Sequence, residues 1–73
     1  MTRINMEKTG KKIGELMCAS NVSVRDVSEE LCMSFQGVYK WLKGNSVPNV
    51  DNLVFLSDLF HVRIDDIIVR EAV

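Results

Sequence analysis

Histidine occurs once and cysteine twice in these 73 residues, and that scarcity removes several chemistries at the outset. Cys18 and Cys32 are too few for the disulfide framework of a small secreted domain. With His61 they are still one ligand short of the four that structural zinc takes, and no short-spaced Cys or His pair is present, so free, half-buried thiols are expected and no metal. A Gly-rich phosphate loop is missing, as is any nucleophile beside an evident base, which leaves an enzyme the least supported class. No signal peptide and no long apolar run is found, so the expectation is a cytoplasmic chain without membrane contact. A chain this short supports no argument for a cofactor or a small-molecule ligand.

Net charge is also small, −1 with a pI near 5.7. That counts against nucleic acid, because lysine and arginine neutralising phosphates normally supply much of the affinity. The distribution is less even than the sum. Residues 1–50 carry seven cations against five carboxylates, net +2, and residues 51–73 carry two against five, net −3.

Within the positive part, Ser23–Gly44 reads SVRDVSEELCMSFQGVYKWLKG. Ser23 precedes Val24, Val27 and Leu31, and Asp26 follows three residues later, close to a capping box, so a helix is predicted to start there. Ser34 precedes Val38, Trp41 and Leu42, whose spacing puts them on one side of a second helix, and Gly44 follows as a left-handed stop. Only Cys32 and Met33 lie between, enough for a turn. With Val38, Trp41 and Leu42 turned inward, the outward positions of the second helix are Phe35, Gln36, Tyr39, Lys40 and Lys43. Such a face suits DNA: Gln can bond an adenine edge, an aromatic ring can touch a thymine methyl, and Lys can meet phosphate or guanine. A merely solvated face would account for the lysines more easily than for Phe35 and Tyr39.

From about Ile13 to Val69 the chain resembles the Cro/C1-type (lambda-repressor-like) helix-turn-helix family. The matching marks are Leu16, Val22-Ser23, Val38, Trp41, Gly44, Pro48, Leu53, Leu56 and Val62. The resemblance implies an all-α, compact bundle of about five helices whose third helix, here residues 34–43, lies in the major groove. It also implies a loop near the DNA backbone that contains Asn45. Four positions depart from the family pattern. Val24 stands where a phosphate-bonding Gln is common, Ser28 where a small Ala is, and Cys32 where the turn often has Gly, which calls for a left-handed residue or another turn geometry. Gly37, inside the third helix, weakens it by about 1 kcal/mol relative to Ala.

The rest of the chain fits the same plan. Met1–Ile4 carries no strong signal. Asn5 is a possible cap for a first helix reaching about Ala19, with Met6, Ile13, Leu16 and Met17 inward and Lys8, Lys11, Lys12 and Glu15 outward. Gly10 and Gly14 share one side, either as tolerated weak points or as a close helix contact. Ser20-Asn21 ends the helix. After a loop to Pro48, Asn49 caps a fourth helix whose core stripe is Val50, Leu53, Leu56, Ser57 and Phe60. A short fifth helix holds Ile64, Ile67 and Ile68.

The sequence thus predicts one helix-turn-helix domain over residues 1–73, motif 23–44. The function expected is a sequence-specific DNA-binding transcriptional regulator, repressor-like. The expected DNA-facing residues are Ser23, Arg25, Ser34, Phe35, Gln36, Tyr39, Lys40, Lys43 and Asn45. The partners are double-stranded DNA and a second copy, with Phe55, Leu59, Val69 and Val73 as material for a homodimer interface. The alternative is the same fold used to bind protein, which the low net charge favours.

Overall fold

The computed structural model describes residues 1–73. Its helices are α1 (Met6–Ala19), α2 (Val24–Glu30), α3 (Phe35–Leu42), α4 (Val50–Phe60) and α5 (Ile64–Ile67). The first four each begin after a capping residue with extended backbone. Asn5 accepts from the Lys8 amide at 2.8 Å, Ser23 from Asp26 at 3.1 Å, Ser34 from Gly37 at 3.2 Å and Asn49 from Asn52 at 2.8 Å. A cap of this kind stabilises a helix start by about 1 kcal/mol.

The same four helices end alike. One residue turns left-handed in each case: Asn21, Cys32, Gly44 and His61, at φ of 55°, 52°, 79° and 57°. Its own amide donates three residues back, and the following amide donates five back, as in Val22 to the Met17 carbonyl at 2.8 Å and Met33 to the Ser28 carbonyl at 3.0 Å. This double closure satisfies carbonyls that would otherwise be orphaned at the helix end. The motif favours an apolar residue after the left-handed one, and Val22, Met33 and Val62 in that position all pack against the core. Asn45, after Gly44, is the polar exception and is exposed.

The core consists of Ile13 and Met17 of α1, Val27 of α2, Val38 and Trp41 of α3, Leu53, Leu56 and Phe60 of α4, and Ile67 of α5. The helical positions predicted inward are mostly there, with two exceptions. Met6 and Val50 are exposed, Val50 by 72 %. Each is the first residue of its helix, and helical side chains lean toward the N-terminus, so these two reach past the end of the packed stripe. The outer face of α4 is apolar and open, with Val54 and Phe55 exposed and Leu59 half-buried. Both thiols are exposed rather than half-buried.

The helical bundle carries one addition. Thr2–Ile4 forms strand β1 and Arg70–Ala72 strand β2, antiparallel, in the register Thr2↔Ala72, Arg3↔Glu71 and Ile4↔Arg70. Thr9 of α1 secures this ribbon from beneath. Its buried hydroxyl accepts from the Val69 amide at 2.9 Å and faces the Val69 carbonyl at 3.4 Å, while that carbonyl takes the Asn5 amide at 2.8 Å.

Candidate nucleic-acid interface

The front of the site begins with Ser23 and Asp26. The Asp26 amide donates to the Ser23 hydroxyl at 3.1 Å, and the Ser23 amide donates to the Asp26 carboxylate at 3.0 Å, so the expected capping box is complete. The Ser23 amide bond, then its hydroxyl, and then the Arg25 charge hold the Asp26 carboxyl below the usual carboxylate range. Ser28 is buried and turns its hydroxyl onto the Arg25 carbonyl at 3.3 Å, a bond that satisfies it where the family commonly has Ala. Cys32 takes the left-handed alternative, closing α2 through its amide to the Glu29 carbonyl at 3.3 Å. The chain then enters α3 within two residues.

α3 is fixed from behind. Val38 is fully buried and Trp41 is 4 % exposed, while Phe35 and Tyr39 are 52 % and 47 % exposed on the other side. α1 crosses behind the C-terminal end of α3, with Gly10 against the Trp41 and Leu42 carbonyls and Gly14 facing the Leu42 side chain. Of the two readings open for these glycines, the close helix contact holds at Gly10, whereas Gly14 has room for a side chain. Gly44 must be glycine on two counts: its φ is +79°, and a side chain would meet the Glu7 backbone at 2.7 Å. Gly37 lies against the tip of Met33, with no backbone in the way.

Five of the nine expected residues come together. Gln36, Tyr39, Lys40, Lys43 and Asn45 line an open concavity of about 300 Å³ along the outer side of α3. Phe35 is exposed one turn earlier. Ser23 and Ser34 lie at the N-termini of α2 and α3, and each uses its hydroxyl as an N-cap. The start of α3, with no acid in its first turn, presents amide hydrogens and a positive dipole end, whereas at the start of α2 the Asp26 carboxylate already takes the Ser23 amide. Arg25 is exposed on α2, and its Nε meets Glu29 at 3.2 Å. The i, i+4 spacing of Arg25 and Glu29 was visible in the sequence, but it does not say which way the arginine turns.

The cations divide by type. All four arginines pair with carboxylates: Arg3 with Glu71, Arg25 with Glu29, Arg63 with Asp66 and Arg70 with Asp65, at 3.6, 3.2, 3.6 and 3.1 Å. None of the five lysines is in an ion pair. Two of them, Lys40 on α3 and Lys43 at its C-cap, stand beside the concavity, so the surface around it is more positive than a net charge of −1 suggests.

A two-helix unit with a short left-handed turn, whose second helix is buried on one side and polar on the other, is the arrangement that the sequence resemblance implied. A helix-turn-helix family profile matches residues 13–67, from mid-α1 to the end of α5. The chain belongs to the Cro/C1-type helix-turn-helix family. Among curated proteins, this helix-turn-helix chain is similar to the HTH-type transcriptional activator BcrR of Enterococcus faecalis, 30 % identical over 61 residues. The match covers 84 % of this chain and 30 % of the relative, so the chain spans less than a third of that protein's length. Among solved structures, it resembles the crystal structure of the DNA-binding domain of BldD. The TM-score is 0.72 at 18 % identity, over 89 % of this chain and 94 % of the other, a likeness of fold.

Proposed function

We propose that the chain is a sequence-specific DNA-binding transcriptional regulator whose α3 lies in the major groove, with residues 1–73 acting as one domain. The observation that carries this reading is the concavity on α3: a hydrogen-bonding amide, an aromatic ring and two unpaired lysines share one outward face backed by a buried tryptophan. Gln36 reads an adenine edge, Tyr39 and Phe35 supply apolar contact to thymine methyls, and Lys40 and Lys43 meet phosphate or guanine. Ser34 and Asn45 present amide and hydroxyl donors to the phosphates, Ser23 presents its hydroxyl, and Arg25 reaches a phosphate when it leaves Glu29. Asn45 is free for this role because its side chain is not drawn into the core as Val22, Met33 and Val62 are.

The affinity of one copy is modest, because two unpaired lysines neutralise few phosphates. A homodimer presenting two α3 helices one turn of DNA apart roughly doubles the contacts. Phe55 and Val73, both exposed, with half-buried Leu59 and Val69, are the apolar material for it. Occupancy alone excludes other proteins from the site, so the regulator is repressor-like, although the relative BcrR is called an activator. Its place of action is the cytoplasm, where the DNA is and where both thiols stay reduced.

Selection of bound sites from random duplexes tests the reading. A palindromic consensus, with Gln36→Ala relaxing the preference at one base pair and costing about 1–3 kcal/mol, is the expected result. Equal loss on every sequence for Gln36→Ala removes its reading role. A second reading, a protein-binding module that inserts Phe35 and Tyr39 into a partner, is favoured by the exposure of Phe35 and the acidic balance of the chain. It predicts no steep weakening of duplex binding with salt.

A further inference from the structure

The other three unpaired lysines are the ones that this reading does not use. Lys8, Lys11 and Lys12 line a second concavity, of about 280 Å³, together with Glu15 and Val69. At 100° per residue, Lys8 and Lys12 fall nearly opposite Gly10, the residue with which α1 touches α3. The patch is therefore on the back of α1, about one helix diameter, ~10 Å, from that contact. No carboxylate is within ion-pair distance of any of the three, although every arginine of the chain has one. The only carboxylate lining the concavity is Glu15.

We infer that this α1 face is a second nucleic-acid surface, one that holds the phosphate backbone of another duplex segment while α3 occupies the first. Three ammonium groups without carboxylate partners, clustered within two helical turns, complement the charge of a phosphate backbone and bring no base-reading group with them, so the contact is independent of sequence. An anionic membrane fits less well. The face offers Lys8, Lys11, Lys12 and Glu15 with half-buried Val69, and lacks the apolar side chains an interfacial helix inserts. The inference rests on the DNA-binding reading only for the first duplex. The lysine contact itself does not depend on α3.

The experiment immobilises a short duplex bearing the selected site, adds protein and measures retention of a second, labelled duplex that lacks the site. Wild type should retain it, with a log–log salt slope near −2.7, about 0.9 per lysine–phosphate contact. The variant Lys8→Gln/Lys11→Gln/Lys12→Gln should hold the first duplex as wild type does and lose about tenfold or more of the second. The corresponding triple arginine variant should restore retention, since arginine also binds phosphate. The proposal is overturned if wild type retains no second duplex, if the glutamine variant retains it fully, or if that variant loses the first duplex as well, which would place the lysines in the α3 interface. Lysine-dependent binding to phosphatidylserine–phosphatidylcholine vesicles without duplex retention would assign the face to membrane instead. A Lys40→Gln/Lys43→Gln chain separates the two readings. It should still bind duplex at low salt through α1, and failure to do so overturns the proposal even if α3 proves not to bind DNA.

Discussion

Gly10 of α1 lies directly against the carbonyl oxygen of Trp41 in α3, so the two helices meet backbone to backbone where the outward face of α3 has to be held steady. Gly14, one turn on, leaves room: a methyl there would sit 3.7 Å from the Leu42 side chain, an ordinary contact. Gly10→Ala is therefore expected to destabilise the fold by about 1–3 kcal/mol, since neither backbone can yield cheaply. Gly14→Ala should stabilise it by up to about 1 kcal/mol through helix propensity. Urea titration of the two variants checks the pair, and equal effects from both would rule out the close contact.

Trp41 and Gln36 lie on opposite sides of α3 and should separate stability from recognition. Trp41→Ala removes a buried ring and is expected to cost about 3–5 kcal/mol of folding free energy. Gln36→Ala changes an exposed residue and should leave the thermal midpoint almost unmoved while altering the preferred site. A large loss of stability for Gln36→Ala would show that the helix is rotated from the orientation described.

Thr9→Val should loosen the terminal ribbon. The substitution leaves the part-buried Val69 amide without its acceptor, a loss of about 1 kcal/mol. Hydrogen exchange localises the effect: the Val69 and Val73 amides should lose protection before those of α3 do. Uniform loss of protection across the chain would mean that the ribbon is not a separate opening unit.

The capping box of α2 gives folding an acid limb. Asp26 ionises more readily folded than unfolded, so its contribution is present above the unfolded value of about 3.9 and is lost as pH falls through the lower folded value. Asp26→Asn, which keeps the size but not the charge, should have a lower thermal midpoint than wild type from pH 7 down to pH 5. The gap should close as the pH is lowered below about 4. A gap that stays constant to the lowest pH would assign the effect to something other than the charge.

On the proposed reading, Glu29 competes with phosphate for Arg25. The two side chains are 77 % and 65 % exposed, so their attraction is screened and the effect is small. Glu29→Gln is expected to tighten duplex binding severalfold at low salt, with the gain fading as salt rises. Arg25→Ala should cancel the gain if Glu29 acts through that arginine, and a double-mutant cycle measures the coupling.

Much of the architecture was legible in the chain because its signals are local. Asn5, Ser23, Ser34 and Asn49 bond amides three residues ahead, and Asn21, Cys32 and Gly44 turn the backbone at the helix ends; such bonds need nothing beyond one turn of chain. Val38 and Trp41 were readable as core for the same reason, since a period of 3.6 residues marks one face of a helix. The concavity of Gln36, Tyr39, Lys40 and Lys43 follows from that period once the opposite face is known to be buried.

Other features needed the chain to be folded. Strand β1 has three residues with no patterning of its own, and it forms because the bundle delivers Arg70–Ala72 to its side and Thr9 ties Val69 in place. Whether Gly10 was a weak point or a contact depended on what crossed it, and Trp41 is 31 positions away. The exposure of Val50 and the pairing of every arginine but no lysine were likewise settled by neighbours remote in sequence. The sequence by itself determined where the first four helices start and stop and which side of each is mainly apolar, because caps and periodicity act within a turn. Only the tertiary structure decided which helices touch, which charges stay free and how the two ends of the chain are joined, because those depend on contacts between residues that the chain order keeps far apart.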